Sequence, residues 1–169
     1  RLCRWCIIDS MRTLQLTRGK EALLDDEDYE RVKGDRWHVT AHIPARSASG
    51  YAQGRPEDGK HGRVLLHRYL LGITDREVFI DHKNGNGLDC RRDNLRIATK
   101  SQNAANSVKR RNALTSIYKG VYQLPGGRFC ARIARKHIGV FDTQEEAGLA
   151  YNAAALEKWG EYAKPNEIT

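Results

Sequence analysis

Four polar residues in the middle of the chain restrict its fold more than any apolar pattern does: the Asp81-His82 pair, then Asn94, then Asn103. Val78, Phe79 and Ile80 read as a short strand that delivers the pair at its end. Lys83-Asn84-Gly85-Asn86-Gly87 is a turn by composition. Thr99 and Gln102 have capping-box spacing, so a helix is expected to start just after Thr99. Asn103 then lies in its first turns, and Ser107 falls one turn further on the same face. Strand, loop and helix would bring these polar positions toward one point. Packing alone does not call for such a constellation.

At 169 residues the chain can bury a core in one or two small units. Its net charge of +8 and pI near 9.5 suit a polyanionic partner, nucleic acid first. The sequence holds no run of eighteen apolar residues, which excludes a transmembrane helix. The N-terminal apolar stretch is too short for a signal peptide, so an intracellular, membrane-free location (cytoplasm or nucleoid) is expected. Cys3 and Cys6 form a C-x-x-C pair with no second pair at zinc-finger spacing; with Cys90 and Cys130 they read as reduced thiols. Met11 precedes the first apolar alternation and is the expected natural start, leaving residues 1–10 as a gene-model extension or a disordered tail.

Short strands are expected around Leu14 and Leu16, at Ala22-Leu23-Leu24, from Trp37 to Thr40 and at Gly50-Tyr51-Ala52, with residues 47–50 as a loop. The acidic run from Asp25 to Glu30 reads as a solvated helix start. Residues 64–72 are apolar enough for a buried helix that Gly72 stops. Beyond the basic linker 109–115, residues 117–123, 128–135 and 136–141 alternate like three antiparallel strands. Thr143 and Glu146 form a second capping box, opening a helix with Ala147, Ala150, Tyr151 and Ala154 on its core face and Gly160 as its stop.

Phosphodiester hydrolysis needs a nucleophilic water, charge neutralisation on the phosphate and help for the departing 3′ oxygen. A hard divalent ion on oxygen ligands serves the last two. Asp81 offers a carboxylate and Asn103 an amide oxygen, while His82 can take a proton near neutral pH and Asn94 can pin the turn. Leu66-His67-Arg68, Asp81-His82-Lys83-Asn84-Gly85-Asn86, Asp93-Asn94-Leu95-Arg96 and the run from Ser101 to Asn106 fall in the order found in HNH endonucleases. The chain from Leu14 to Asn106 resembles the phage and homing-endonuclease branch of that family. The resemblance implies a ββα-metal fold, Asp81 and Asn103 as metal ligands, His82 as general base and Asn94 as the loop-organising residue. His67 would support the site or touch a phosphate, although a packed core histidine fits it as well. Cys90 stands where this branch often has Asn, a change that would loosen the loop. Ser107 stands where many relatives carry a second histidine, which favours magnesium (or manganese) with water-completed coordination over zinc.

Between Lys109 and Lys136 there are eight Lys or Arg residues and no Asp or Glu. Phe129, Ala131 and Ile133 are expected on an apolar back, with Arg128, Cys130 and Arg132 on a basic front suited to the major groove. Tyr118-Lys119-Gly120-Val121, Arg128 to Ile133, Ile138 to Phe141 and the Glu146 to Ala154 helix, closed by Ala163 and Asn166, resemble the APETALA-two (ethylene-response-factor) DNA-binding domain. That resemblance implies DNA contacts from Lys119, Tyr122, Arg128, Arg132, Arg135 and His137. Several arginines typical of the plant domains are absent, Tyr122 marking one such position.

The expected protein is of the α+β class. N-terminal strands lead into an HNH ββα-metal nuclease fold at residues 11–108, and a three-stranded antiparallel sheet packed on one helix follows at residues 116–169. It would be a monomeric, divalent-metal-dependent endonuclease of a phage or mobile element, acting on double-stranded DNA. Two other readings remain open at this stage: a non-cutting DNA-binding regulator on a degenerate nuclease fold, and an RNA-binding module.

Overall fold

The computed structural model describes residues 11–40, 50–57, 62–108 and 116–168. The chain divides into two units between Thr99 and Lys100. The expected extension 1–10, the linker 109–115, residues 47–49, His42 and His61 lie outside the described residues. No helix among the described residues is long and apolar enough to cross a membrane.

The first unit begins with an antiparallel hairpin, β1 (Met11–Gln15) against β2 (Glu21–Asp25), pairing Leu14 with Ala22. Period-two alternation sends Leu14, Ala22 and Leu24 to one core face. The helix α1 (Asp26–Val32) follows, its acidic first turn at the positive end of the helix. It is not a solvated helix start throughout, because Asp28 shares a face with Val32, four residues on, and both are fully buried. β3 (Trp37–Val39), β4 (Ala52–Gly54) and β5 (Val64–Leu65) form an antiparallel sheet in that order.

The apolar run 64–72 is only partly helical. Val64 and Leu65 pair with Gly54 and Gln53, and the helix α2 is confined to Leu66–Leu70. Edge pairing with β4 takes the first two residues, and the chain then turns to bury Leu66 and Leu70 with Leu24, Val32 and Trp37. β6 (Phe79–His82) pairs antiparallel with β7 (Leu95–Ala98). Asp81 and His82 therefore belong to the strand, opposite Arg96 and Leu95.

The second unit starts with α3 (Lys100–Ala105), placed directly after Thr99 as the capping-box spacing predicts. Ser107 lies past its end, its hydroxyl donating to the Ala104 carbonyl (2.7 Å). β8 (Val121–Gln123), β9 (Phe129–Ile133) and β10 (Lys136–Phe141) form an antiparallel sheet with β9 in the centre. The strand expected over 128–135 stops at Ile133, because Ala134 and Arg135 adopt positive φ and make the tight turn into β10. α4 (Gln144–Trp159) opens on the complete Thr143–Glu146 capping box and ends at Gly160 with φ 53°. Its buried residues are Ala147, Gly148, Tyr151 and Ala155, shifted slightly from the expected stripe of Ala147, Ala150, Tyr151 and Ala154. Tyr151 lies so close to Gly120 that a β-carbon there would sit 2.1 Å from its ring, and Gly120 also has φ 77°.

Candidate active site

The β6–β7 hairpin holds Asp81 and His82 below the surface, each 4 % exposed. A twelve-residue connection, residues 83–94, is organised by amide side chains. Asn94 Nδ2 donates to the Asp89 carbonyl (2.7 Å) and to Asn84 Oδ1 (3.1 Å), while its Oδ1 accepts from the Asn84 backbone N–H (3.0 Å). Asn84 Nδ2 donates to Asp89 Oδ2 (2.8 Å), and Asn84 Oδ1 accepts the Asn86 N–H (2.8 Å). A β-carbon on Gly87 would meet the Gly50 carbonyl oxygen at 2.3 Å and the Tyr51 ring at 2.8 Å, so glycine permits that close approach.

The loop is also tied to the N-terminal hairpin. The Leu23 N–H donates to the Leu88 carbonyl and the Cys90 N–H to the Leu23 carbonyl, both at 2.9 Å. Arg91 forks onto the Asp89 carboxylate (2.8 and 2.7 Å), and these bonds hold that carboxyl below its usual range. Arg92 forks onto the buried Asp28 carboxylate (2.8 Å to each oxygen), which also accepts from Arg31 Nη1 (2.6 Å). Asp28, Asp89, Arg91 and Arg92 were not singled out from sequence as site-forming residues. The one available signal was the helical spacing of Asp28 to Val32, which puts the carboxylate on the core face. Cys90, expected to loosen the loop, is instead fully buried in the first unit's core, and burial pushes its thiol up to about 12.

His82 sits among aromatic rings. The His67 ring packs edge-on against it with centroids 4.9 Å apart, and Tyr51 lies 5.6 Å away. Burial lowers the His82 pKa to about 4, with the Asp81 and Asp89 carboxylates acting in the opposite direction. Burial lowers His67 to about 3, helped by His82 and Arg68. Both imidazoles are neutral at physiological pH. His67 Nδ1 has no hydrogen-bond partner among the described residues. Asp81 Oδ2 accepts from Arg96 Nε (2.8 Å) and lies 2.8 Å from its Nη2. Asn103 is half-buried on α3 in the second unit. Among the described residues no group of three His, Cys, Asp or Glu side chains is placed to hold a metal ion.

In the second unit Arg132 and His137 are cross-strand partners, exposed together with Arg128 and with Arg135 in the turn. Arg128 Nε pairs with Asp142 Oδ1 at 3.0 Å. Cys130, expected among the basic residues, is buried, opposite Tyr122 across the β8–β9 ladder. Lys119 points inward, its ammonium donating to the carbonyls of Ala105 (2.6 Å) and Ser107 (2.8 Å).

Residues 64–105 match the family model described as HNH endonuclease. The chain is 28 % identical over 174 residues to an uncharacterised HNH endonuclease of Acanthamoeba polyphaga mimivirus, covering 96 % of this chain and 84 % of the viral protein. It is also 31 % identical over 100 residues to an ethylene-responsive transcription factor of Arabidopsis thaliana, covering 54 % of this chain and 60 % of the plant protein. No solved structure matches.

Proposed function

We infer, from the match of residues 64–105 to the HNH endonuclease family model, that the chain is a DNA endonuclease working with a divalent metal, magnesium or manganese. In this reading Asp81 and Asn103 hold the ion, His82 is the general base and Asn94 holds the loop. The donors fit a hard cation: one carboxylate and one amide oxygen leave most of the coordination to water and phosphate. When bound, such an ion offsets charge on the phosphate and the departing 3′ oxygen.

The residues themselves do the rest. Neutral His82 is in the protonation state that a general base needs to take the proton of the attacking water. The Asp81 and Asp89 carboxylates favour the imidazolium that this transfer creates. Asn94 keeps the hairpin loop after His82 closed, and the His67 and Tyr51 rings pack against the imidazole. Tyr122, Arg128, Arg132, Arg135 and His137 form the surface that binds duplex DNA, the arginines meeting phosphates or guanine edges.

The observation that carries this reading is the buried, neutral His82 beside Asp81, at the start of a loop closed by Asn94. The purified chain is expected to nick or cut plasmid in magnesium and to stop in EDTA. His82→Ala is expected to lose at least a hundredfold in rate while retaining DNA affinity. Undiminished cutting by that variant refutes the base. A second reading, a non-cutting DNA-binding regulator, draws support from the Arg96 guanidinium lying on Asp81. It requires DNA binding that no metal alters and no cleavage with any divalent ion.

A further inference from the structure

α3 has six residues, too few to hold helical form by backbone bonds alone, so its order must come from packing. The second unit holds it at both ends. Near its start, Ser101 Oγ accepts the indole N–H of Trp159 (3.0 Å) at the end of α4. At its C-terminus the Ala105 carbonyl accepts from Lys119 Nζ (2.6 Å) and from the Lys164 N–H (3.3 Å). The same ammonium caps the Ser107 carbonyl at 2.8 Å and lies 5.7 Å from the Tyr151 ring centroid. A cation on the last carbonyls of a helix is favourable both as hydrogen bond and against the helix dipole. Asn166 fixes the Lys119 backbone on both sides, accepting its N–H (2.6 Å) and donating to its carbonyl (3.1 Å). Asn166 is in turn held by Asn152 of α4 (2.7 and 2.9 Å).

We propose that Lys119, with Trp159 as second anchor, is a positioning residue that seats α3 and therefore fixes Asn103. The second unit thus builds the helix that carries Asn103, and its Lys119 serves that helix instead of a DNA surface. This inference rests on the reading of Asn103 as a ligand. It also accounts for a lysine pointing inward at a position where the resemblance implies a DNA contact. The ammonium is half-buried, and burial lowers its pKa to about 8.

The test uses the full-length chain with Lys119→Met, Lys119→Arg and Trp159→Phe. Metal-free amide exchange at Asn106, whose N–H bonds the Gln102 carbonyl at 3.1 Å, reports the seating of α3. Exchange at that amide is expected to speed up at least tenfold in Lys119→Met and Trp159→Phe, with Lys119→Arg closer to wild type. Calorimetric Mn2+ affinity is expected to fall several-fold in step. Duplex affinity in EDTA, and its salt slope, are expected to stay within about twofold of wild type. A salt slope reduced by about one in Lys119→Met, with α3 exchange unchanged, makes Lys119 a phosphate contact and overturns the inference. Faster exchange with undiminished Mn2+ affinity also overturns it. Should Lys119→Met fail to fold, Trp159→Phe, which loses the indole N–H and part of the ring, decides by the same readouts. A wild-type chain that binds no Mn2+ refutes the nuclease reading itself. Wild-type binding and cutting beside unaffected variants refutes this inference alone.

Discussion

Asp28 exposes none of its surface, yet both carboxylate oxygens are bonded to Arg92 and one also to Arg31. Its partners reach solvent, so losing the carboxylate strands no buried cation; the cost is that of lost charged hydrogen bonds and a small void. Asp28→Ala is therefore expected to destabilise the first unit by about 1–3 kcal/mol in urea unfolding. An unchanged midpoint would show that the pair contributes nothing. His67 and His82 make a pH prediction at the same scale. Their folded pKa values, about 3 and about 4, lie below the usual 6.5, so the unfolded chain binds more protons. Stability from this source is complete above pH 6.5 and is lost as pH falls toward 4. One imidazole accounts for about 2 kcal/mol at pH 5. Replacing His67 with Gln should flatten that acid limb in denaturation curves recorded from pH 7.5 to 4.5; an unaltered limb would rule out its burial as the cause.

Among the elements, the β6–β7 hairpin differs most from a generic turn. The Asn94 side chain makes three hydrogen bonds inside it, two to Asn84 and one to the Asp89 carbonyl. Asn94→Ala removes all three at a buried position, and a loss of about 2–3 kcal/mol is expected. Cleavage should fall more steeply than stability, measured below the melting range, because the loop behind His82 opens first. Equal activity at equal folded fraction would argue against the pinning role. The order of elements here was legible in the residues: glycines and asparagines of the turn, the strand before Asp81 and the capping box at Thr143 all form as local chemistry requires. Residues 64–72 were not legible in that way. A short apolar run carries no period that separates strand from helix, and β4 decides that its first two residues pair.

Across the molecule, net charge and the exposed Arg128, Arg132, Arg135 and His137 are the features through which the proposed function would meet DNA. Binding is expected to weaken linearly in log affinity against log salt, and Arg132→Ala to lower that slope by about one. A slope unchanged by that variant would remove Arg132 from the phosphate contacts. The sequence by itself determined the residue inventory: which side chains could ligate, take a proton or meet phosphate, and which local turns and caps position them. Spacing and side-chain chemistry are local properties, so they survive without knowledge of the fold. Only the tertiary structure decided that Asp28 is buried, that Cys90 packs in a core, that Arg96 lies on Asp81, and that Lys119 turns inward onto α3. Each of these depends on which distant segment supplies the neighbour, and burial and pairing follow from that neighbour more than from the residue's own type.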